Sequence, residues 1–428
     1  MTAVPATPPA RARGGATWRC FGWLLGVGLA ACEPDVVGGP TGAAPERALV
    51  VVGGDYQSTV VSRIDVERAV SDAPAFLHSG SVVGETGSAL SGDVVPGRVL
   101  DGSGDALLVD RAKGTVTRLK GLGVHWQRNV APGFSANPQD AIAVHIGDER
   151  RVLVVRGQPD VHGGSNDSVL GGGDDLVVLG HDGVPLGRLA LGSAASAPPK
   201  GGAVMAMAGS GAWTGDALWL PLASVSPAFD GYGPGRLVQA RVAADGATSL
   251  GLGVELGPLR NCRAARRLAG PGLRLGVVCS GSFAEGPAEQ LAGSGLAVVR
   301  IEGDAAAVER VVPAANFGAP LGFHVAVSEQ TDTAVVVALG DLEAGQPDAV
   351  WAVDVQTGAG TSIALGRGAF TLGGLWLDAT TQTLWVADSG ISTAGDLRRF
   401  RIDAAGWQEL DAVASVPGGL RALELAPW

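Results

Sequence analysis

Ala141-Ile-Ala-Val-His-Ile146, Arg151-Val-Leu-Val-Val-Arg156, Asp175-Leu-Val-Val-Leu179 and Val184-Pro-Leu-Gly-Arg-Leu-Ala190 follow one another as apolar runs too short for helices and rich in Val, Leu and Ile. His181-Asp182-Gly183 joins the last two, and Asp-Gly between apolar runs is a strong hairpin signal. The first pair is joined just as tightly, whereas a long polar segment, residues 157–174, separates the second run from the third. The stretch therefore reads as one four-stranded antiparallel unit with a single long connection.

Outward from this unit, the same order recurs at a spacing of about fifty residues, the signature of a repeat architecture. Downstream units lie at 203–208, 216–222, 236–243 and 247–255; at 262–268, 273–279, 295–301 and 305–312; at 322–328, 333–339, 349–354 and 361–365; and at 373–378, 383–388, 396–402 and 407–414. An upstream unit lies at 96–100, 105–110, 114–119 and 124–131. Residues 48–54, 59–66 and 75–83 make only three strands, while Gly419-Leu-Arg-Ala-Leu-Glu-Leu-Ala426 is one strand too many at the other end. Placing that last strand innermost in the first unit predicts an all-β fold, a β-propeller of seven four-stranded blades over 48–428, closed by its terminal strand. A pair of β-sandwiches shares the short alternating strands but explains neither the period nor the surplus strand.

Trp351-Ala-Val-Asp-Val-Gln-Thr-Gly358 resembles the strand–Asp–x–x–Thr–Gly turn of quinoprotein-like and YVTN-like bacterial propellers, and Leu384-Trp-Val-Ala-Asp388 and Leu218-Trp-Leu220 resemble second strands of such repeats. The resemblance covers architecture along most of the chain and implies a propeller without naming one family.

At the N-terminus, Arg11, Arg13 and Arg19 precede the apolar run Phe21–Leu29, which ends in Leu29-Ala30-Ala31-Cys32. This is the layout of an export signal over residues 1–31, and it is too short for a membrane span. Leu-Ala-Ala-Cys resembles the lipobox of bacterial lipoproteins, which implies cleavage before Cys32, a lipid on Cys32 and attachment to a membrane of the cell envelope. An ordinary secretory signal is the alternative. Residues 32–47 carry no apolar periodicity and read as a flexible tether.

With Cys32 set aside, Cys262 and Cys279 are left as a pair in an oxidising compartment. They stand equidistant from the turn Ala269-Gly-Pro-Gly272, so they face each other across a hairpin and are expected to form a disulfide, unless the register slips and leaves two buried thiols. No Cys-x-x-Cys occurs, which argues against thioredoxin-type chemistry.

Beyond the signal, 28 basic residues face 42 acidic ones. Such a surface repels polyanions, so no nucleic-acid partner is expected. Gly-x-Ser-x-Gly, the P-loop and the zinc-protease helix are all absent, and Gly209-Ser210-Gly211 lies in an expected turn with no helix after it. The long second connections, 157–174, 223–235, 280–294, 340–348 and 389–395, should share one face, and long loops on a rigid scaffold commonly bind. In the longest, Asp160, Asn166, Asp167, Asp174 and Asp175 offer the hard oxygens that calcium takes, although not in EF-hand spacing. His162 reads as a surface residue, and His145 and His324 as hydrogen-bonded core histidines on inner strands. Asp93, Asp140, Asn261 and Asn316 lie on the connections into inner strands, similar in chemistry to the channel-mouth ligands of metal-dependent propeller lactonases. Two expectations follow. The first is a lipid-anchored monomeric propeller binding an envelope protein or a small ligand on its long-loop face, one variant resembling the propeller lipoprotein of the outer-membrane barrel-assembly machinery. The second is a metal-dependent hydrolase or lyase.

Overall fold

The computed structural model describes residues 47–81, 87–198, 201–328, 330–390, 396–403, 406–416 and 421–428; the expected signal, Cys32 and all but the last residue of the expected tether lie outside them. Seven antiparallel four-stranded sheets form a closed ring, a seven-bladed β-propeller. Blade 1 runs outward from Arg421–Pro427 through Ala48–Gly54 and Thr59–Asp65 to Val70–His78. The terminal strand is therefore innermost, as expected, with Leu49 opposite Pro427 and Val51 opposite Leu425. The inner strands of blades 3, 5, 6 and 7 are Pro138–Ile146, Cys262–Arg267, Leu321–Val327 and Leu372–Asp378.

Alternation along the strands explains why the ring holds. A blade is covered on both faces, so its middle strands read as continuous apolar runs whose successive side chains go to opposite neighbours. In blade 1, Val50 and Val52 pack with Leu108 and Leu119 of blade 2, while Leu49 and Val51 pack with Trp385 and Leu397 of blade 7. Each of the seven junctions has its own buried apolar cluster of this kind. Side-chain oxygens latch the blades further. Where a third strand begins, Asp174, Asp348 and Asp396 accept backbone N–H bonds from the segment entering the next blade: Ala206 and Met207, then Phe370, Thr371 and Leu372, then Ala422. Ser294 does the same for Leu321 in blade 5.

Two inner strands depart from the sequence expectation. In blade 2, 96–100 was expected as one strand, but Val94–Pro96 pairs within the blade while Arg98–Val99 runs parallel to Ile142–Ala143 of blade 3. In blade 4, 203–208 is not a strand. Asp174 takes the N–H groups of Ala206 and Met207, and the segment then crosses to blade 5, where Ser210 donates its N–H to Arg263 O at 2.8 Å and accepts from Ala265 N at 2.8 Å. Ala212–Trp213 forms the short inner strand of blade 4, and Met205 and Ala208 join the same sheet only through isolated bridges to Val225 and Leu222. Glycine at 209 permits the crossing, since a Cβ there would overlap the Arg263 carbonyl. The sequence reading also missed the helix Pro287–Ala292, which lies in the 280–294 loop; no described helix is long and apolar enough to cross a membrane. Cys262 and Cys279 are directly opposed and form the expected disulfide.

Candidate functional site

The inner strands of all seven blades surround a central cavity of about 440 Å³. Five arginines line it, Arg98, Arg111, Arg263, Arg266 and Arg267, against two carboxylates, Asp140 and Glu424. A chain of net charge −11 thus concentrates cations in its channel. The two irregular inner strands build this chemistry. The displaced end of the blade 2 strand carries Arg98 to Asp140, Nη2 to Oδ2 2.6 Å, and the crossing of blade 4 carries Ser210 to Arg266, which donates to its Oγ at 3.0 Å.

The arginines differ in how they are neutralised. Arg98 is paired with Asp140, and Arg111 with Asp93 through Nε at 2.7 Å. Arg266 donates to Ser210 Oγ and to Ala265 O and has no salt bridge among the described residues. The Arg263 side chain has no hydrogen bond among the described residues; its Nη1 is buried without a partner, and the ring of Phe323 lies 5.4 Å from its Cζ. Burial lowers the Arg263 guanidinium to about 10, with Arg111 adding to the effect and Tyr232 opposing it. Burial lowers Arg266 to about 9, with Arg98 pushing the same way and Asp140 opposing. Both keep some solvent access along the channel, and both stay protonated at neutral pH. Placing an uncompensated cation in such surroundings is unfavourable unless an anion joins it.

Elsewhere on the channel wall His324 of blade 6 meets Glu424 of blade 1, Nε2 to Oε1 3.2 Å, both partly exposed to the cavity. The pair reaches across blade 7 because residues 373 and 374 are glycines; a Cβ at 374 would crowd the Glu424 side chain. Phe323 lines the cavity and packs against Phe283 of the 280–294 loop, both exposed, with ring centroids 6.0 Å apart.

The residues expected from sequence are distributed differently. Asp93 and Asp140 are ion-paired to arginines, Asn316 is exposed in the 3-10 turn Ala314–Phe317, and Asn261 is buried with Oδ1 unpartnered, so these four do not converge. The expected calcium ligands are each bound to structural work. Asp160 holds the N–H groups of Gly164 and Ser165, and Asp167 those of Val169 and Leu170. Asp174 caps blade 4, and Asp175 grips fully buried Arg156 at 2.7 and 2.6 Å. No group of three His, Cys, Asp or Glu side chains that could hold a metal ion occurs among the described residues. His324 is a channel residue rather than a core histidine, and His145 is exposed with its ring nitrogen 3.0 Å from Asp101 O. Arg263, Arg266 and the His324–Glu424 pair were not singled out from sequence. The available signal was Cys262-Arg-Ala-Ala-Arg-Arg267, a strand with three cations where its neighbours carry apolar residues.

No family model matches the chain, and no curated protein matches it in sequence. Solved structures do resemble it. A candidate 6-phosphogluconolactonase from Bacteroides uniformis superposes with a TM-score of 0.55 at 11% identity, over 90% of this chain and 100% of that one. The periplasmic gluconolactonase of Pseudomonas aeruginosa gives 0.55 at 15% identity, over 89% and 98%. A protein from Lactobacillus plantarum gives 0.54 at 13%, over 89% and 99%. At these identities the likeness establishes the shared propeller fold.

Proposed function

We propose that this chain is an exported, lipid-anchored propeller that binds an anionic small molecule in its central channel, with Arg263 and Arg266 as the counter-ions. The observation that carries the reading is Arg263, a buried-side guanidinium with an unpartnered Nη1 and no carboxylate of its own, facing a cavity of ligand size. Sugar acids are the first ligands to try, because two of the similar structures are a gluconolactonase and a candidate 6-phosphogluconolactonase. The experiment is a thermal-shift titration with gluconate and inorganic phosphate against neutral glucose. Stabilisation by the anions alone, lost in Arg263→Gln, supports the reading; no shift with any anion overturns it.

Export rests on the signal layout and agrees with the disulfide, since such bonds persist in oxidising compartments. Lipidation rests on Leu29-Ala30-Ala31-Cys32 alone, and mass spectrometry of the N-terminal peptide from a membrane fraction tests it. A second reading, a protein partner on the long-loop face, is favoured by apolar side chains exposed on those loops: Val161, Phe229, Phe283 and Leu342. Crosslinking from intact membranes, compared with a Cys32→Ala form, tests both the partner and the need for the anchor.

A further inference from the structure

We infer that the channel is built for an elongated ligand with an acidic group at each end and hydrogen-bonding groups between, one end held by Arg263 and the other by Arg266. This rests on the anion-binding reading and deepens it.

Arg263 and Arg266 are the second and fifth residues of the strand Cys262–Arg267. Residues three apart on a regular strand point to opposite sides. Here the pairing jumps from Cys262↔Cys279 to Ala264↔Val278, leaving Arg263 as the unpaired residue of a bulge, and both arginines line the cavity. Arg263 and Arg266 have different charged neighbours, Arg111 beside the first and Arg98 beside the second, so the two guanidiniums stand at separate levels of the channel. At each level the nearby charges cancel and leave one cation over. Beside Arg263, the charge of Arg111 is met by Asp93; beside Arg266, the charge of Arg98 is met by Asp140. Arg267, exposed at the end of the same strand, adds a third cation, so the two partly buried ones at separate levels are Arg263 and Arg266. His324 and Glu424 line the same cavity. Glu424 can only accept when ionised, while the imidazole donates or accepts, a combination suited to hydroxyl groups in the middle of a ligand.

Isothermal titration calorimetry tests this with four probes: D-glucarate and 6-phosphogluconate, acidic at both ends, and gluconate and glucose 6-phosphate, acidic at one. The wild-type protein should bind the two-ended acids at least tenfold more tightly. Arg263→Gln and Arg266→Gln should each bring the two-ended acids down to the level of the one-ended ones, and Arg263→Lys should restore part of the difference, with melting temperature confirming the fold of each variant. Equal affinity for one-ended and two-ended acids overturns the two-anchor inference and leaves anion binding standing. A two-ended preference that survives both Gln variants also overturns it. Failure of all four probes to bind takes the anion-binding reading down with it.

Discussion

Replacing Asp348 with alanine should be among the most damaging single changes in the ring. The side chain is fully buried, and its two oxygens accept from Gly340 N at 2.7 Å, Phe370 N at 2.9 Å, Thr371 N at 2.8 Å and Leu372 N at 2.9 Å. Hydrogen bonds to a charged acceptor contribute about 1.5–3 kcal/mol each, and a buried donor left alone costs about 1–3 kcal/mol. Simple addition overshoots, because removing the carboxylate also removes its own desolvation and water can enter beside the 340–348 loop. A net loss of about 3–5 kcal/mol is expected, in line with breaking other buried charged networks. Asp348→Asn should lose nearly as much, since its amide group turns a donor toward backbone donors. Guanidinium-chloride unfolding measures the loss, and hydrogen exchange at Thr371 and Leu372 should accelerate in parallel. A change below about 1 kcal/mol in Asp348→Ala would refute the idea that these carboxylates latch blade to blade.

Removing the disulfide by changing both Cys262 and Cys279 to serine should destabilise the protein by about 3 kcal/mol, read as a shift in the denaturant midpoint, as should reduction of the native bond. The pH dependence should carry an unusual component. Burial raises Asp174 and Asp396 above the ordinary 3.8, against the backbone N–H bonds they accept. Their native forms therefore take up protons before the unfolded chain does, so each contributes a gain in stability as pH falls from its folded pKa toward 3.8 and a loss as pH rises through that window. Asp101 runs the other way: burial raises it, but hydrogen bonds from Ser103 and the Arg118 guanidinium prevail, so its contribution is present above 3.8 and lost as pH falls through its folded pKa. Asp396→Asn should remove its share of the first component and leave that of Asp174, seen as a smaller acid-side gain in denaturation midpoint. Gly373→Ala should cost about 2–3 kcal/mol by driving a Cβ into the Leu423 carbonyl and prising the terminal strand from blade 7, measurable by thermal unfolding.

The ring was legible because alternation is a local property: Val50 and Val51 announce two buried faces whatever lies beyond them. The disulfide followed from counting outward from one turn. The inner strands of blades 2 and 4 were misread for a non-local reason. Nothing in residues 203–208 says that Asp174, on another blade, takes the N–H groups of Ala206 and Met207, or that Ser210 finds a better ladder in blade 5. The site rests on equally non-local partners. Asp140 and Asp93 stand as candidate ligands in the sequence, and only the fold shows Arg98 and Arg111 beside them; nothing local marks the bulge at Arg263. The acidic loop around Asp160 and Asp167 offered ligand-like composition, yet its carboxylates are spent on their own backbone.

The innermost strand of blade 1 is supplied by residues 421–427, which also hold Glu424. During synthesis six blades and most of a seventh can assemble while the ring is still a gapped arc, with the edge of Ala48–Gly54 unpaired. His324 has no carboxylate across the channel until the last strand docks. Completion of the scaffold and completion of the channel wall are thus one event. A chain released before residue 421 would be conspicuous by its open edge and would lack half of the His324–Glu424 pair, so closure of the ring and closure of the channel wall fail together.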